Sequence, residues 1–376
     1  MSSARKPKPS PGPARRPVEP RVLFKVLTAL AALAVALVLA EAAVRLSGAG
    51  PQYYEPARDM VRPHGVYTKA PYAFVPHAVF RTVYPSDPRG YFGPDRSVDH
   101  EFNSAGWRDL EHTVAKPPST YRILGLGDSY LFGQGVRFEH LSLTRLRETL
   151  QQAAPAGLQV EAINTGVPAF NTEAERQLLA ARGLDYQPDL VIVHFVLNDI
   201  EQNLARQGPK LEFFREYTAV YNRPDRLARY SQLWGLARQT YQRRVEGGRY
   251  LQASLHSYLD DPSRFEAMWA SLQGIRDLCR ERHVALLVAV FPFLVQLDAD
   301  YPFRPIHQRL VERCQRAGIP VLDLYHAFKG QRGPELWVHP VDQHPNETAH
   351  AIAAAAMFDH LMARRAEFRL FSPASE

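Results

Sequence analysis

Residues 121–127 read YRILGLG and run directly into Asp128 and Ser129. A short apolar run that ends in glycines is typical of a strand buried in a parallel sheet. Similar runs recur at 158–163, 189–197 (DLVIVHFVL), 284–291 (VALLVAVF) and 319–324 (IPVLDL). Segments with helical spacing separate or follow them, at 140–153, 172–183, roughly 200–282, 303–317 and 346–365. This alternation predicts a parallel sheet of about five strands that helices cover on both faces.

Most of the net charge of the chain lies at its N-terminus. The formal net charge is +6, yet residues 1–21 alone hold six lysines and arginines against one acidic residue, Glu19. The remaining chain is nearly neutral, so we expect no nucleic-acid partner. Residues 1–21 are also rich in proline and serine, which predicts a disordered tail.

An apolar stretch follows the tail, and residues 22–46 are predicted to form a transmembrane anchor. Val26 to Ala40 contains no charged residue, and with its flanks the stretch is long enough to cross a bilayer. Because the positive charges precede it, the tail is expected in the cytoplasm. The main domain would then lie on the non-cytoplasmic side of the cell membrane, periplasmic or extracellular, in a single-pass protein. The alternative is a cleaved signal peptide, for which Ala40-Glu41-Ala42 offers a small-residue site.

The rest of the chain divides by composition. Residues 47–118 are dense in proline, tyrosine and arginine, which predicts an irregular linker with short strands that packs on the main domain. The main domain is assigned to residues 119–368, with an insertion at about 200–260. A tail of residues 369–376 would end the chain.

The insertion carries an apolar and aromatic stripe. Leu227, Tyr230, Trp234, Ala237 and Tyr241 recur at three- and four-residue spacing, as on one face of a helix. Three interpretations fit this stripe. It could be buried against the domain, it could cap the active site and offer rings to a sugar or acyl chain, or it could lie in the lipid headgroup layer.

The chain has two cysteines, Cys279 and Cys314. An exported domain would allow a disulfide between them. Two buried free thiols are the alternative. Nothing in the sequence fixes the distance between the two residues, so both alternatives stay open.

Three of the predicted strands end in residues that can take part in catalysis. The carboxyl ends of parallel strands form the active-site edge of such sheets, so Ser129, Gly166 and Asn198 are expected there. Ser129 can act as a nucleophile, and the Gly166 N–H and the Asn198 amide can donate to a developing oxyanion. Each residue also has a structural alternative, namely a capping serine, a turn glycine and a capping asparagine.

Asp342 and His344 supply the groups that such a serine needs. A serine hydroxyl attacks when a base takes its proton, and a carboxylate holds the base in the correct tautomer. Asp342 and His344 lie two residues apart before a predicted helix and can fill both roles. His339 lies close enough in sequence to suggest a metal site with them, but no fourth ligand is evident. We therefore predict no metal and no cofactor.

These pieces together resemble the four sequence blocks of the SGNH (GDSL) hydrolase family. The strings GLGDSYLFGQGV, NTGVPAFNT and DQHPNETAH, with Asn198 in LND between the last two, occur in the family's order. The segment NSAGWRD at 103–109 is similar to one in membrane-anchored bacterial members. The resemblance covers about 119–368. Two positions depart from the family pattern, because Val196 replaces a usual glycine and Val341 replaces a frequent aspartate three residues before His344.

The resemblance implies a fold and a set of roles. We predict a three-layer α/β sandwich with a parallel, flavodoxin-like sheet of about five strands, preceded by one transmembrane helix. Ser129 would be the nucleophile, and His344 the general base and later the general acid. Asp342 would orient His344. The backbone N–H groups of Ser129 and Gly166 and the amide of Asn198 would form the oxyanion hole.

The sequence thus predicts a serine esterase that cleaves or transfers an acyl group through an acyl-serine intermediate. Its substrate would be an ester of an envelope or extracellular carbohydrate or lipid, and residues 22–46 would hold it in the membrane. Acyl transfer differs from hydrolysis only in that a sugar hydroxyl replaces water. A function of another class is a catalytically silent, membrane-anchored protein that binds polysaccharide or supports assembly.

Overall fold

The computed structural model describes residues 20–51, 53, 74, 76–168, 170–200, 224–298 and 300–372. The chain divides into two compact units. The first consists of Met1–Pro51 and Pro224–Thr240, and the second of Gln52–Arg223 and Tyr241–Glu376. Residues 201–223, which belong to the predicted insertion, and most of the predicted N-terminal tail lie outside the described residues.

The first unit is built on one apolar helix, α1 (Pro20–Ser47). The part Arg21–Ser47 is long and apolar enough to cross a membrane, and its most apolar window is not buried by the protein. The apolar side chains of this helix are therefore free to meet lipid. Membrane anchors and signal sequences share these properties.

The second unit contains nine strands among the described residues. In chain order they are β1 (Val79–Val83), β2 (Ser97–Glu101), β3 (Thr120–Gly127), β4 (Gln159–Asn164), β5 (Leu190–Val196), β6 (Ala285–Phe291), β7 (Val321–Asp323), β8 (Trp337–His339) and β9 (Asp342–Pro345). The helices after α1 are α2 (Ser129–Phe132), α3 (Ser142–Ala153), α4 (Thr172–Ala181), α5 (Gln232–Leu259), α6 (Pro262–Glu281), α7 (Arg304–Arg316), α8 (Tyr325–Phe328) and α9 (Glu347–Ala363). Helix α5 begins in the first unit and continues into the second.

The central sheet has five parallel strands in the order β4-β3-β5-β6-β7. The first strand of the sheet in sequence therefore lies between the second and the third, as in flavodoxin. Strands β3 and β5 are buried along their whole length, which accounts for their continuous apolar character. The predicted α/β fold with a flavodoxin-like sheet is confirmed.

Two pairs of helices cover this sheet. Helix α3 packs against α9, and α4 packs against α6. Strand β4 lies on one side of β3 in the sheet, and β5 lies on the other side. Because both connections are right-handed crossovers, α3 and α4 lie on opposite faces of the sheet. This arrangement brings the carboxyl ends of β3, β4 and β5 to one edge.

The long helical region predicted at roughly 200–282 is interrupted in its described part. Helix α5 ends at Leu259, and the Asp261 carboxylate accepts from the N–H groups of Ser263 and Arg264 to start α6. Pro262 occupies the first turn, where its missing N–H costs no hydrogen bond. A capping aspartate followed by proline therefore splits the predicted helix in two.

The apolar and aromatic stripe of the insertion is exposed, so its interpretation as a buried face is wrong. Leu227 is 60% exposed, Tyr230 81%, Trp234 45% and Tyr241 68%. The stripe predicts one helical face over 227–241, but α5 begins only at Gln232, so Leu227 and Tyr230 precede the helix. Periodicity also does not tell whether such side chains meet protein, water or lipid.

Both cysteines are buried free thiols. Burial raises the pKa of the Cys279 thiol and of the Cys314 thiol to about 12. The structure therefore contains two free thiols and no disulfide between these cysteines.

The segment 103–109 (NSAGWRD) connects the region before the sheet to the end of β4 and to the turn after α2. The Asn103 side chain accepts from the Trp107 N–H and donates to the Leu110 carbonyl, which closes a tight turn. Asp109 Oδ2 accepts from the Asn164 N–H at 2.6 Å, at the end of β4. This part of the predicted irregular linker therefore contacts the edge of the sheet directly.

Arg108 of the same segment is almost completely buried. Its guanidinium donates to the carbonyls of Phe132 and Gly133 at 2.7 and 2.6 Å, and also to the Val136 carbonyl. Burial lowers the pKa of Arg108 to about 9. Gly133 has a φ of 76°, which allows the chain to leave α2 in the left-handed conformation. Arg108 thus fixes the turn that follows α2.

We expect Arg108→Met to destabilise the protein. A buried acceptor that loses its donor costs about 1–3 kcal/mol, so the free energy of unfolding should fall by more than about 2 kcal/mol. The control is Arg316→Met, whose native side chain is 77% exposed and pairs with Glu312 on the surface. That change should stay within about 0.5 kcal/mol. Equal effects of the two variants in thermal or denaturant unfolding would contradict the bracing role of Arg108.

Candidate active site

Ser129 stands at the carboxyl end of β3, as the first residue of α2. Asp128 precedes it and caps this short helix, since its Oδ1 accepts from the Tyr130 N–H at 2.8 Å. Asp128, and not Ser129, is therefore the N-cap residue of α2. The Ser129 hydroxyl instead faces His344.

Ser129, His344 and Asp342 form one chain of contacts. Ser129 Oγ lies 2.9 Å from His344 Nε2, and His344 Nδ1 lies 2.5 Å from Asp342 Oδ1. Asp342 and His344 both belong to β9, where residues two apart point to the same side. The two-residue spacing thus brings carboxylate and imidazole together without a longer loop.

Tyr84 completes the surroundings of Asp342. It is buried, and its hydroxyl donates to Asp342 Oδ2 at 2.8 Å, the oxygen opposite to the one facing His344. Burial alone would raise the pKa of Asp342, but the charge of His344 and the hydrogen bonds from His344 and Tyr84 hold it below its usual value. Sequence reasoning missed Tyr84, because it lies in the region before the sheet, far from Asp342 along the chain.

Asn198 contacts the site through Asp128. Its Nδ2 donates to Asp128 Oδ2 at 2.8 Å, and Ser129 Oγ lies 3.4 Å from the same oxygen. Asn198 Oδ1 accepts no hydrogen bond from the described residues. Asn198 therefore does not cap a helix among them. Burial raises the pKa of Asp128 above its usual value. Asp128 thus links the ends of β3 and β5, a role that the sequence did not reveal.

Gly166 follows β4 and packs tightly against α2. A Cβ at this position would lie 2.5 Å from the Phe132 nitrogen and 2.9 Å from the Leu131 carbonyl carbon, so only glycine fits. The Gly166 N–H donates to Asn164 Oδ1 at 2.9 Å. The structure therefore explains the glycine by close packing, and the expected donation of its N–H to an oxyanion stays a prediction.

His339, the third residue of the metal alternative, is committed to other contacts. Its Nδ1 accepts from the Val341 N–H at 3.2 Å, and its Nε2 lies 2.9 Å from Ser86 Oγ. The described part of the chain contains no group of three or more His, Cys, Asp or Glu side chains that could hold a metal ion.

Comparison with known proteins places this geometry in context. The family model described as the GDSL-like Lipase/Acylhydrolase family matches residues 126–352. No curated protein matches the chain.

Several solved structures are similar to the chain. One is a catalytic mutant of Axe2, an acetylxylan esterase from Geobacillus stearothermophilus, with 15% identity, a TM-score of 0.40 and coverage of 68% of this chain and 97% of that chain. Another is TesA, with 12% identity, a TM-score of 0.41 and coverage of 64% and 98%. The lipase Lip_vut3 from a goat rumen metagenome has 14% identity, a TM-score of 0.38 and coverage of 63% and 95%.

His344 is expected to titrate above pH 6.5. Burial favours its neutral form, but the charge and hydrogen bond of Asp342 outweigh burial and raise the pKa of the imidazole. The ring should therefore be protonated at low pH and become a free base only as the pH rises through this raised value. In Asp342→Asn the charge of Asp342 is lost, so the pKa of His344 should fall relative to the wild type.

Histidine ring NMR signals followed across pH would measure this shift. His194 and His350 serve as internal controls, because burial lowers the pKa of each to about 3 and both should stay neutral. A wild-type His344 that titrates below 6.5, or no change in Asp342→Asn, would contradict the assigned contact.

Proposed function

Because the chain belongs to the GDSL-like lipase/acylhydrolase family and is a hydrolase acting on ester bonds, we propose that Ser129 is its nucleophile. His344 is the general base in this proposal, and Asp342 is the carboxylate that orients it. The observation that carries the proposal is the continuous chain from Ser129 Oγ through His344 to Asp342, with contacts of 2.9 and 2.5 Å.

The reaction proceeds in two steps. His344 Nε2 takes the proton of Ser129 Oγ as the oxygen attacks the ester carbonyl. Asp342 accepts from His344 Nδ1–H, which leaves Nε2 as the free acceptor and stabilises the imidazolium that forms. The tetrahedral intermediate then collapses, His344 gives its proton to the leaving alcohol, and an acyl-serine remains. Water attacks the acyl-serine with the same base and releases the acid and Ser129.

The negative charge that develops on the carbonyl oxygen in the tetrahedral intermediate is stabilised by hydrogen-bond donors that are positioned before the reaction. The Asn198 amide is held by Asp128 beside Ser129, and it can turn its second hydrogen to the oxyanion. The backbone N–H groups of Ser129 and Gly166 complete the proposed hole. Donation by Gly166 requires its N–H to be shared with, or released from, Asn164 Oδ1.

The substrate in this proposal is an ester of a carbohydrate or lipid in the cell envelope or outside the cell. The support is the apolar helix α1, which follows a basic tail and can hold the catalytic unit in a membrane. With the tail in the cytoplasm, the second unit lies on the opposite side. A sugar hydroxyl in place of water would make the same acyl-serine an acyl donor for transfer.

Ser129→Ala should abolish both covalent labelling by a fluorophosphonate probe and hydrolysis of a short acyl ester, with unchanged thermal stability. Loss of the activated nucleophile should lower kcat by about 10⁴-fold or more. Gel fluorescence and reporter turnover measure the two effects.

Ser86→Ala is the matched control for this experiment. Ser86 Oγ lies 2.9 Å from His339 Nε2, the same distance as in the Ser129–His344 pair. His339 Nδ1 accepts a backbone N–H, so its Nε2 carries the proton and cannot take one from Ser86. Labelling that survives Ser129→Ala, or disappears in Ser86→Ala, would refute the assignment of the nucleophile.

Asn198→Ala should lower kcat for ester hydrolysis by about a hundredfold or more, as loss of one oxyanion donor does. KM should change little, because the donor acts mainly on the charge of the transition state. Steady-state kinetics and thermal unfolding measure the two effects separately. A normal kcat combined with a lower melting temperature would show that Asn198 only supports Asp128.

A further inference from the structure

The first unit presents an exposed apolar and aromatic surface formed by Leu227, Tyr230 and Trp234. Their exposed fractions are 60%, 81% and 45%, high values for large side chains of this type. Arg226 and Arg229 are exposed between and beside them. We call this surface the collar. Rings and aliphatic chains interspersed with arginines suit the headgroup layer of a membrane better than water.

Glu41 of α1 holds the start of α5 next to this collar. Its carboxylate accepts from the N–H groups of Gln232 and Leu233, each at 2.9 Å, and from Ser231 Oγ at 2.7 Å. Ser231 Oγ in turn accepts from the Trp234 N–H at 3.0 Å. The first three N–H groups of α5 are therefore satisfied by one residue of α1 and one local cap.

Arg45 reinforces the same junction. It contacts the Glu41 carboxylate at 2.6 Å and donates to the Tyr230 carbonyl at 2.7 Å. Glu41 and Arg45 lie one turn apart on α1, so both point to the start of α5. The junction thus joins α1 to the collar by side chains from a single face of α1.

The position of Glu41 along α1 sets the depth of the collar. The uncharged run of α1 ends at Ala40, and Glu41 follows directly. An ionised carboxylate is costly in the hydrocarbon core, so Glu41 belongs at the border between hydrocarbon and headgroups. Residues 230–233, which contact Glu41 and Arg45, must then lie at the same level. The collar is thereby held where aromatic residues concentrate in membrane proteins.

We propose that the collar lies at the membrane surface and that Glu41 holds it at the outer end of the anchor. Leu227, Tyr230 and Trp234 enter the headgroup layer, and Arg226 and Arg229 face lipid phosphates. This inference rests on the proposed membrane anchoring of α1 and is independent of the ester chemistry. Cleavage after Ala42 would remove Glu41 and leave the N–H groups of Gln232 and Leu233 without their acceptor, so the collar also requires an uncleaved anchor.

Quenching of Trp234 by brominated lipid tests the collar. The full chain is reconstituted in vesicles of phosphatidylethanolamine and phosphatidylglycerol, with bromine on the acyl chains near the headgroups. The wild type should lose fluorescence on bromination, and Trp234→Phe should abolish most of that loss. Trp269→Phe is the matched control, because Trp269 is only 3% exposed in the core of the second unit and its removal should leave the loss unchanged.

The possible outcomes separate this inference from the anchoring proposal. Intact mass and alkaline extraction of membranes report whether the anchor is retained. A retained anchor with no quenching of Trp234 overturns the collar alone, whether Trp234 emits as in water or as if covered by a second copy of the chain. A mature chain that begins near residue 43 overturns both.

A second variant tests whether Glu41 holds the collar. Glu41→Leu removes the acceptor for Ser231, Gln232 and Leu233, so quenching of Trp234 should fall while the protein remains in the membrane. Thr28→Leu is the control in the same helix, since the Thr28 hydroxyl donates to the Phe24 carbonyl within α1, more than three turns before Glu41. Full quenching of Trp234 in Glu41→Leu would show that the collar does not depend on Glu41.

Discussion

The contact of 2.5 Å between Asp342 and His344 is the interaction on which the rest of the site depends. Without it, burial would lower the pKa of the imidazole, as burial does for His194 and His350. Asp342 reverses that effect and also fixes which ring nitrogen faces Ser129. The contact is possible because residues two apart in β9 lie on the same face of the strand.

Two buried carboxylates surround Ser129, and their environments differ. Asp342 faces an imidazole and a tyrosine hydroxyl, and its pKa is held below the usual value despite burial. Asp128 accepts from neutral donors of Tyr130, Asn198 and Ser129, and burial raises its pKa. Such a separation is what a site needs if one carboxylate is to support a cationic base while the other positions neutral donors. The two carboxylates thus differ in their partners and in the direction of their pKa shifts, although both lie near Ser129.

Sequence reasoning predicted the parallel sheet and the residues at its edge, because both follow from local patterns. Apolar runs reveal buried strands, and Ser129, Gly166 and Asn198 were found by their position directly after such runs. Tyr84 and Arg108 could not be found in this way. Each acts through a contact distant in sequence, and nothing local distinguishes Tyr84 from the other tyrosines. The stripe of Leu227, Tyr230 and Trp234 shows the same limit, because its periodicity revealed neither that α5 begins only at Gln232 nor that these side chains are exposed.

The central claim is that Ser129 carries the acyl group between two half-reactions. Rapid quenching in acid during the first turnover of an activated acetate ester, followed by peptide mass spectrometry, tests it most directly. The account predicts an acetyl group on the peptide that contains Ser129, formed as fast as the alcohol is released and lost as free acetate appears. Continued hydrolysis with no acetylated peptide, or with the acetyl group on another residue, would contradict it.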